Sequence, residues 1–258
     1  MAEQPRPLET DYMMIVDTET YIQNGRSYVF DFGAVIINLN TGNIIPGGEL
    51  AVLLPPPGVD FELFYNPNEK DSESFWHKDN ISKRRNDYQN LYDRGLRSIA
   101  RPELVNIWVR DHIASNTHPR PIIAAYNFPF DREVCIRSGI RSIVEGPMAW
   151  DDSETSGFCL LERSRRVMGK YGRFEKEYEK FVNQNSYRTP TGRPSMKADH
   201  IAKFIGVRNN HYIDEPHEAL SDAKHFEAPI ATFLRTVSYT HLRAHETLRY
   251  LVCRLLLE

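Results

Sequence analysis

Four apolar residues running straight into two acids, Met13-Met14-Ile15-Val16-Asp17-Thr18-Glu19, constrain this chain more than any other stretch. An unbroken apolar run of that length reads as a strand buried on both faces. Side chains at i and i+2 of an extended segment point the same way, so the Asp17 and Glu19 carboxylates leave the sheet together at the end of the strand. Two like charges held that close repel unless something neutralises them, and a divalent cation is the usual solution. The competing reading is a strand that opens into a solvated acidic turn. Partners elsewhere in the chain have to decide between the two.

The bulk composition limits the setting of those acids. A 258-residue chain that is 41 % hydrophobic and 26 % charged suits one large domain or two small ones with a sizeable core. A formal charge of -3 does not advertise a polyanion-binding protein, yet an acidic cluster can mask local basic patches. Cys135, Cys159 and Cys253 are odd in number and widely spaced, which suggests neither a disulfide framework nor a zinc site. Burial as small apolar side chains in a reducing cytosol is their expected state. No signal peptide and no apolar run near 18 residues is visible, so the expectation is a soluble cytoplasmic protein with no membrane partner.

Read in order, the chain begins with a polar lead-in and the first strand. After the Asn24-Gly25 turn come a long strand over 28–38, a hairpin turn over 40–43 and a third strand over 49–54, an antiparallel meander. Asp31 lies within the second strand, where an acid is out of character; it either faces the site from the side or, as the favoured reading, sits at an exposed edge. Residues 58–115 differ in character and read as a helical and loop insert. Its basic run Lys83-Arg84-Arg85 beside Phe75-Trp76 is either a charged helix face or a nucleic-acid surface. An amphipathic helix over 101–115 carries Leu104, Ile107, Trp108 and Ile113. Pro121–Tyr126 is a second buried strand, followed directly by Asn127-Phe128-Pro129-Phe130-Asp131 and a helix over 132–137. A short strand is expected at 147–150 and helices at 158–168, 174–182 and 196–205. A last helix over 217–235 is interrupted or kinked at Pro229. The segment 236–258 resembles translated sequencing-adaptor read-through and is read as a non-native tail, leaving 1–235 as the domain.

Three acidic motifs then stand in sequence: Asp17 with Glu19, Asp131 just past the second buried strand, and His217 with Asp222 in His-Glu-Ala-Leu-Ser-Asp. Residues five apart on a helix point about 140° apart, so His217 must sit before the helix and Asp222 on it if both are to reach one site. This combination resembles the DEDDh group of 3′→5′ exonucleases in the RNase H-like superfamily. Each motif alone is weak, but the three in this order are specific. The resemblance covers roughly residues 10–235, and Glu218 excludes the tyrosine variant of the family.

The resemblance implies an RNase H-like α/β fold: a mixed five-stranded sheet, first three strands antiparallel, helices on both faces. It implies two Mg²⁺ ions, with Mn²⁺ as a substitute, held by Asp17, Glu19, Asp131 and Asp222, with His217 as general base. Thr18 and Thr20 would donate to the terminal nucleotide or brace the turn; Asn127 and Phe128 would contact substrate, with Phe128 stacking on a base and Phe130 in the core. Asp151, Asp152 and Asp199 read as helix caps, and His200, His211 and His225 as surface histidines. The implied reaction is release of nucleoside 5′-monophosphates from the 3′ ends of single-stranded DNA or RNA, with DNA favoured. A catalytically idle nucleic-acid-binding module, an endonuclease of the same superfamily and a proofreading subunit on a polymerase remain as alternatives, and oligomeric state stays open.

Overall fold

The computed structural model describes residues 11–55, 85–115, 120–145, 157–170, 172–206 and 217–237. Its centre is a six-stranded mixed sheet in the order β4-β3-β2-β1-β5-β6. Strands β1 (Tyr12–Gln23), β2 (Arg26–Asn38) and β3 (Ile44–Leu53) form the antiparallel meander. Asn24 and Gly25 both take positive φ, which a two-residue hairpin matching strand twist requires. The remaining strands, β4 (Ser98–Ile99), β5 (Ile122–Ala125) and β6 (Phe158–Cys159), pair in parallel. The sheet therefore has one strand more than the five expected. β4 and β6 are two residues long, too short to show a period in sequence, and Phe158, expected to start a helix, belongs to β6. The strand expected at 147–150 lies outside the described residues, as do Asp151, Asp152, His211, Lys83, Arg84 and residues 238–258.

Alternation along β1 divides the core into two. Met13 and Ile15 face one apolar cluster, with Leu160, Val167, Tyr178, Val182, Ile201 and Phe226. Those residues come from α4 (Leu160–Lys170), α5 (Gly172–Asn185), α6 (Ala198–Phe204) and the last helix. Met14 and Val16 face the other cluster, which α2 (Pro102–Ile113) and α3 (Phe128–Arg137) close. On α2 the buried residues are Val105, Val109 and Ile113, while Leu104 and Ile107 are exposed. Two apolar stripes lie side by side on that helix, and the sheet takes the one spaced i, i+4, i+8. Thus the described part of the 58–115 stretch contributes β4 to the sheet and α2 to the core; α1 (Arg85–Asp93) precedes them.

The last helix, α7, starts as Ala219–Asp222, widens into a π turn over Ala223–Glu227 and continues helically over 228–237. The irregularity thus precedes Pro229 and does not interrupt the helix there. Proline offers no N–H to the carbonyl four residues back and its ring crowds that carbonyl; a widened turn just upstream relieves both. Asp199 does not cap α6: its Oδ2 lies 3.3 Å from Lys203 Nζ, and no side-chain cap bond forms. His200 is not a loose surface group either, since its ring stacks on Tyr187 with centroids 3.7 Å apart. Cys135 is buried and Cys159 half-buried, both as free thiols. No helix among the described residues is long and apolar enough to cross a membrane.

Candidate active site

The site forms where parallel pairing stops. β5 pairs with β1 only over Met13–Ile15, so Asp17 and Glu19 lie beyond the end of β5 while β1 itself continues to Gln23. The acids thus do not end their strand, as the sequence suggested. They sit within it, beside a bulge between Glu19 and Thr20, because β2 goes on pairing with β1 after β5 has stopped. On the other side of this edge, α3 turns out of β5 at Asn127, whose carbonyl accepts the amides of Phe130 at 2.9 Å and Asp131 at 3.2 Å. Asp131 therefore faces back across the strand end from the first helical turn. Thr18 Oγ1 donates to Asp131 Oδ1 at 2.7 Å, which ties the helix to β1.

α7 closes the third side, and Gly33 admits it. Gly33 is the β2 partner of Asp17. A Cβ there would lie 2.1 Å from the Leu220 amide nitrogen and 2.3 Å from the Ala219 carbonyl carbon, so a side chain of any size pushes α7 off the sheet. With hydrogen alone at Gly33, the start of α7 rests on β2 and carries His217 and Asp222 to the acids. Ligand atoms of Glu19, His217 and Asp222 all lie within 4.8 Å of one another. His217 sits before the helix with φ +54°, its ring about half exposed and its Nδ1 3.8 Å from Glu19 Oε1. Asp222 is buried.

The electrostatics of this cluster are costly without a cation. Burial, and then the charges of Glu227, Asp131, Asp222 and Glu19 in that order, push the Asp17 carboxyl well above its ordinary range. Burial likewise raises Asp131 to about 7, against the opposing hydrogen bonds from Thr18 and from its own backbone. Protein alone therefore keeps protons on carboxylates that ordinarily ionise near 4. An all-carboxylate oxygen set of this kind fits a hard divalent cation such as Mg²⁺ or Mn²⁺, with His217 at its edge. Glu19, His217 and Asp222 bring ligand atoms close enough to share one, with Asp17 and Asp131 among the charges beside them.

The structure brings Asp17, Glu19, Asp131, His217 and Asp222 to this one edge, and sorts the softer candidates differently. The Thr18 hydroxyl is turned to Asp131. Thr20 is half-buried at the bulge, and Asn127 is exposed at the start of α3. Phe128 is 3 % exposed and belongs to the core, whereas Phe130 is 42 % exposed, the reverse of the sequence expectation. The Asn-x-x-Phe-Asp spacing cannot tell which phenylalanine turns inward, because the first turn of α3 sets it. One further residue was missed, and a second was given the wrong one of its two readings. Glu227, buried on the π turn, is the leading charged neighbour of Asp17. Asp31, expected at an exposed edge, is 0 % exposed beneath the His217 segment, because α1 and the start of α7 cover that part of β2.

No family model and no curated protein matches this chain. Among solved structures, it is similar to the nuclease domain of 3'hExo, a DEDDh family member, bound to rAMP. That match has 16 % identity over 89 % of this chain and 94 % of the other, at a TM-score of 0.45. It is also similar to E. coli Exonuclease I in complex with a 5cy-dT13 oligonucleotide, with 15 % identity, a TM-score of 0.47 and 94 % of this chain covered. There the chain spans 45 % of the other protein's length. A 3'-exonuclease in a structure of histone mRNA stem-loop recognition matches at 13 % identity and a TM-score of 0.45, over 87 % of this chain and 81 % of that one.

Proposed function

We propose that this chain is a metal-dependent 3′→5′ exonuclease that hydrolyses phosphodiester bonds in single-stranded nucleic acid, DNA in preference to RNA, releasing nucleoside 5′-monophosphates. The observation that carries the reading is one edge where Asp17, Glu19, Asp131 and Asp222 converge beside a histidine. A merely structural acidic turn has no need to bury carboxylates against one another, and a binding module has no use for a proton acceptor beside them. Asp17, Glu19, Asp131 and Asp222 would hold the cations, of which we propose two. Bound there, Mg²⁺ supplies an acidified water and neutralises phosphate charge.

The chain's own residues do the rest. His217, half exposed and 3.8 Å from Glu19, takes the proton from the attacking water at its imidazole. Histidine is the side chain whose chemistry suits proton transfer near neutral pH, which fits it to that role. Thr18 holds Asp131 in one rotamer through its 2.7 Å hydrogen bond, so the carboxylate needs no reorientation when substrate arrives. Phe130, exposed one residue before Asp131, offers a face on which the terminal base can stack.

Incubating the chain with a 5′-labelled single-stranded oligonucleotide tests the reading. Mg²⁺ is expected to give a ladder of shortening products, lost with EDTA and reduced by at least about 100-fold in His217→Ala and Asp17→Ala. Matched DNA and RNA strands compare the two sugars in the same gel. Tight binding without cleavage under every metal tried would move the assignment to an idle nucleic-acid-binding module.

A further inference from the structure

We infer that Asp31, Tyr88 and Arg97 form a clamp that sets the backbone at His217 and so positions the general base; the inference rests on the exonuclease reading of the site. Asp31 stands on β2 opposite Glu19, wholly enclosed, and its carboxylate accepts from three directions. Oδ2 receives the Tyr88 hydroxyl at 3.0 Å and the Ala219 amide at 3.0 Å; Oδ1 receives Arg97 Nε at 3.3 Å. The Tyr88 oxygen is also 3.2 Å from the His217 carbonyl, so its one hydrogen is shared between that carbonyl and Asp31. Arg97 Nη2 lies 3.8 Å from Glu218 Oε2.

Three consecutive residues are thus each tied to the same buried group or its partners: His217 by its carbonyl, Glu218 by its carboxylate, Ala219 by its amide. The geometry at His217 calls for such restraint. Its φ of +54° lies in the left-handed region, which residues with a Cβ hold only where their surroundings over-determine it. Its ring is about half exposed, with Nδ1 3.8 Å from Glu19 Oε1, so its place at the site follows first from where the backbone carries it. The position of the imidazole is therefore inherited from its backbone, and the backbone from the clamp. Burying an acid, a guanidinium and a phenol together costs desolvation that apolar side chains avoid. A positioning role accounts for that expense in a strand otherwise lined by Phe30, Phe32 and Val29. It also gives the segment around α1 and β4 a task at the site, since Tyr88 and Arg97 come from there.

Tyr88→Phe is the cleanest probe. It removes the shared hydroxyl and keeps the ring that packs edge-on to Phe30 at 5.3 Å. Exonuclease kinetics on a single-stranded oligonucleotide, well below the melting temperature, should show kcat lowered by roughly fivefold to tenfold at unchanged KM. In single-turnover runs with enzyme in excess, adding Tyr88→Phe to His217→Ala should cost nothing further, because the group being positioned is already gone. Asn90→Ala, on the exposed side of α1, should match wild type. A Tyr88→Phe variant with wild-type kcat, or one that loses the same factor again on top of His217→Ala, overturns the clamp while leaving the exonuclease reading standing. A wild-type chain with no cleavage in Mg²⁺ overturns the reading itself, and the clamp with it.

Discussion

At the scale of single residues, protonation of Asp17 and Asp131 links the candidate site to stability. Both carboxyls hold their protons to higher pH in the folded chain than in the unfolded one, where the ordinary value is 3.8. The folded state therefore binds more protons through that interval, and its stability falls as pH rises from about 4 towards the Asp131 value of about 7. Thermal melts in EDTA should show a melting temperature declining between pH 5 and pH 8, and Mg²⁺ should restore it most at pH 8. A flat profile in EDTA would mean that the carboxylates do not crowd as described. Thr18→Val keeps the shape and deletes the hydroxyl, leaving Asp131 without its 2.7 Å donor. We expect a further rise in the Asp131 pKa, read by NMR titration, and metal affinity about tenfold weaker by calorimetry. Residues of this rank differ in how far sequence exposes them. Asp17 and Glu19 can be picked out before any coordinates, because acids directly after an apolar run are conspicuous, whereas Asp131, His217 and Asp222 stand out only through the order of motifs that the family resemblance supplies. Asp31 is conspicuous within its strand, but sequence cannot choose between its two readings, because its burial depends on Tyr88 and Ala219, which are 57 and 188 residues away along the chain.

At the scale of elements, the seating of α7 on β2 and the π turn within α7 decide which charges meet. Gly33→Ala sets a methyl group 2.1 Å from backbone nitrogen, where no flexible side chain can yield. Overpacking of that kind should destabilise the fold by about 3 kcal/mol or displace α7, and denaturant unfolding measures it. Nothing in Phe32-Gly33-Ala34 announces this approach; a glycine inside an apolar strand signals only that something comes close. The π turn is equally silent in sequence, yet its backbone bonding, with the Ala228 amide returning to the Ala223 carbonyl, brings residues five apart into line. That is how Glu227 comes to share a site with Asp222, although on a regular helix the two would diverge by about 140°. Glu227→Gln removes the leading charged neighbour of Asp17, and the metal-free protein should then melt higher at pH 8. An unchanged or lower melting temperature would detach Glu227 from the cluster.

At the scale of the whole molecule, the meander of three long strands and the alternation of buried β5 with helices were legible, because long periodic segments state their own conformation. The two-residue strands β4 and β6 were not, since their pairing with β3 and β5 is decided by neighbours distant in sequence. What the fold achieves is convergence: three separate segments, each carrying one acidic motif, meet at the same edge of the sheet. The direction of attack on a nucleic-acid strand tests that convergence most directly. One single-stranded DNA oligonucleotide, labelled in one tube at its 5′ end and in another at its 3′ end, should be incubated with the chain and Mg²⁺. We expect a descending ladder from the 5′ label and immediate release of labelled mononucleotide from the 3′ label, with a closed circular strand left intact. Nicking of the circle, or mononucleotide released first from the 5′ label, would contradict the account.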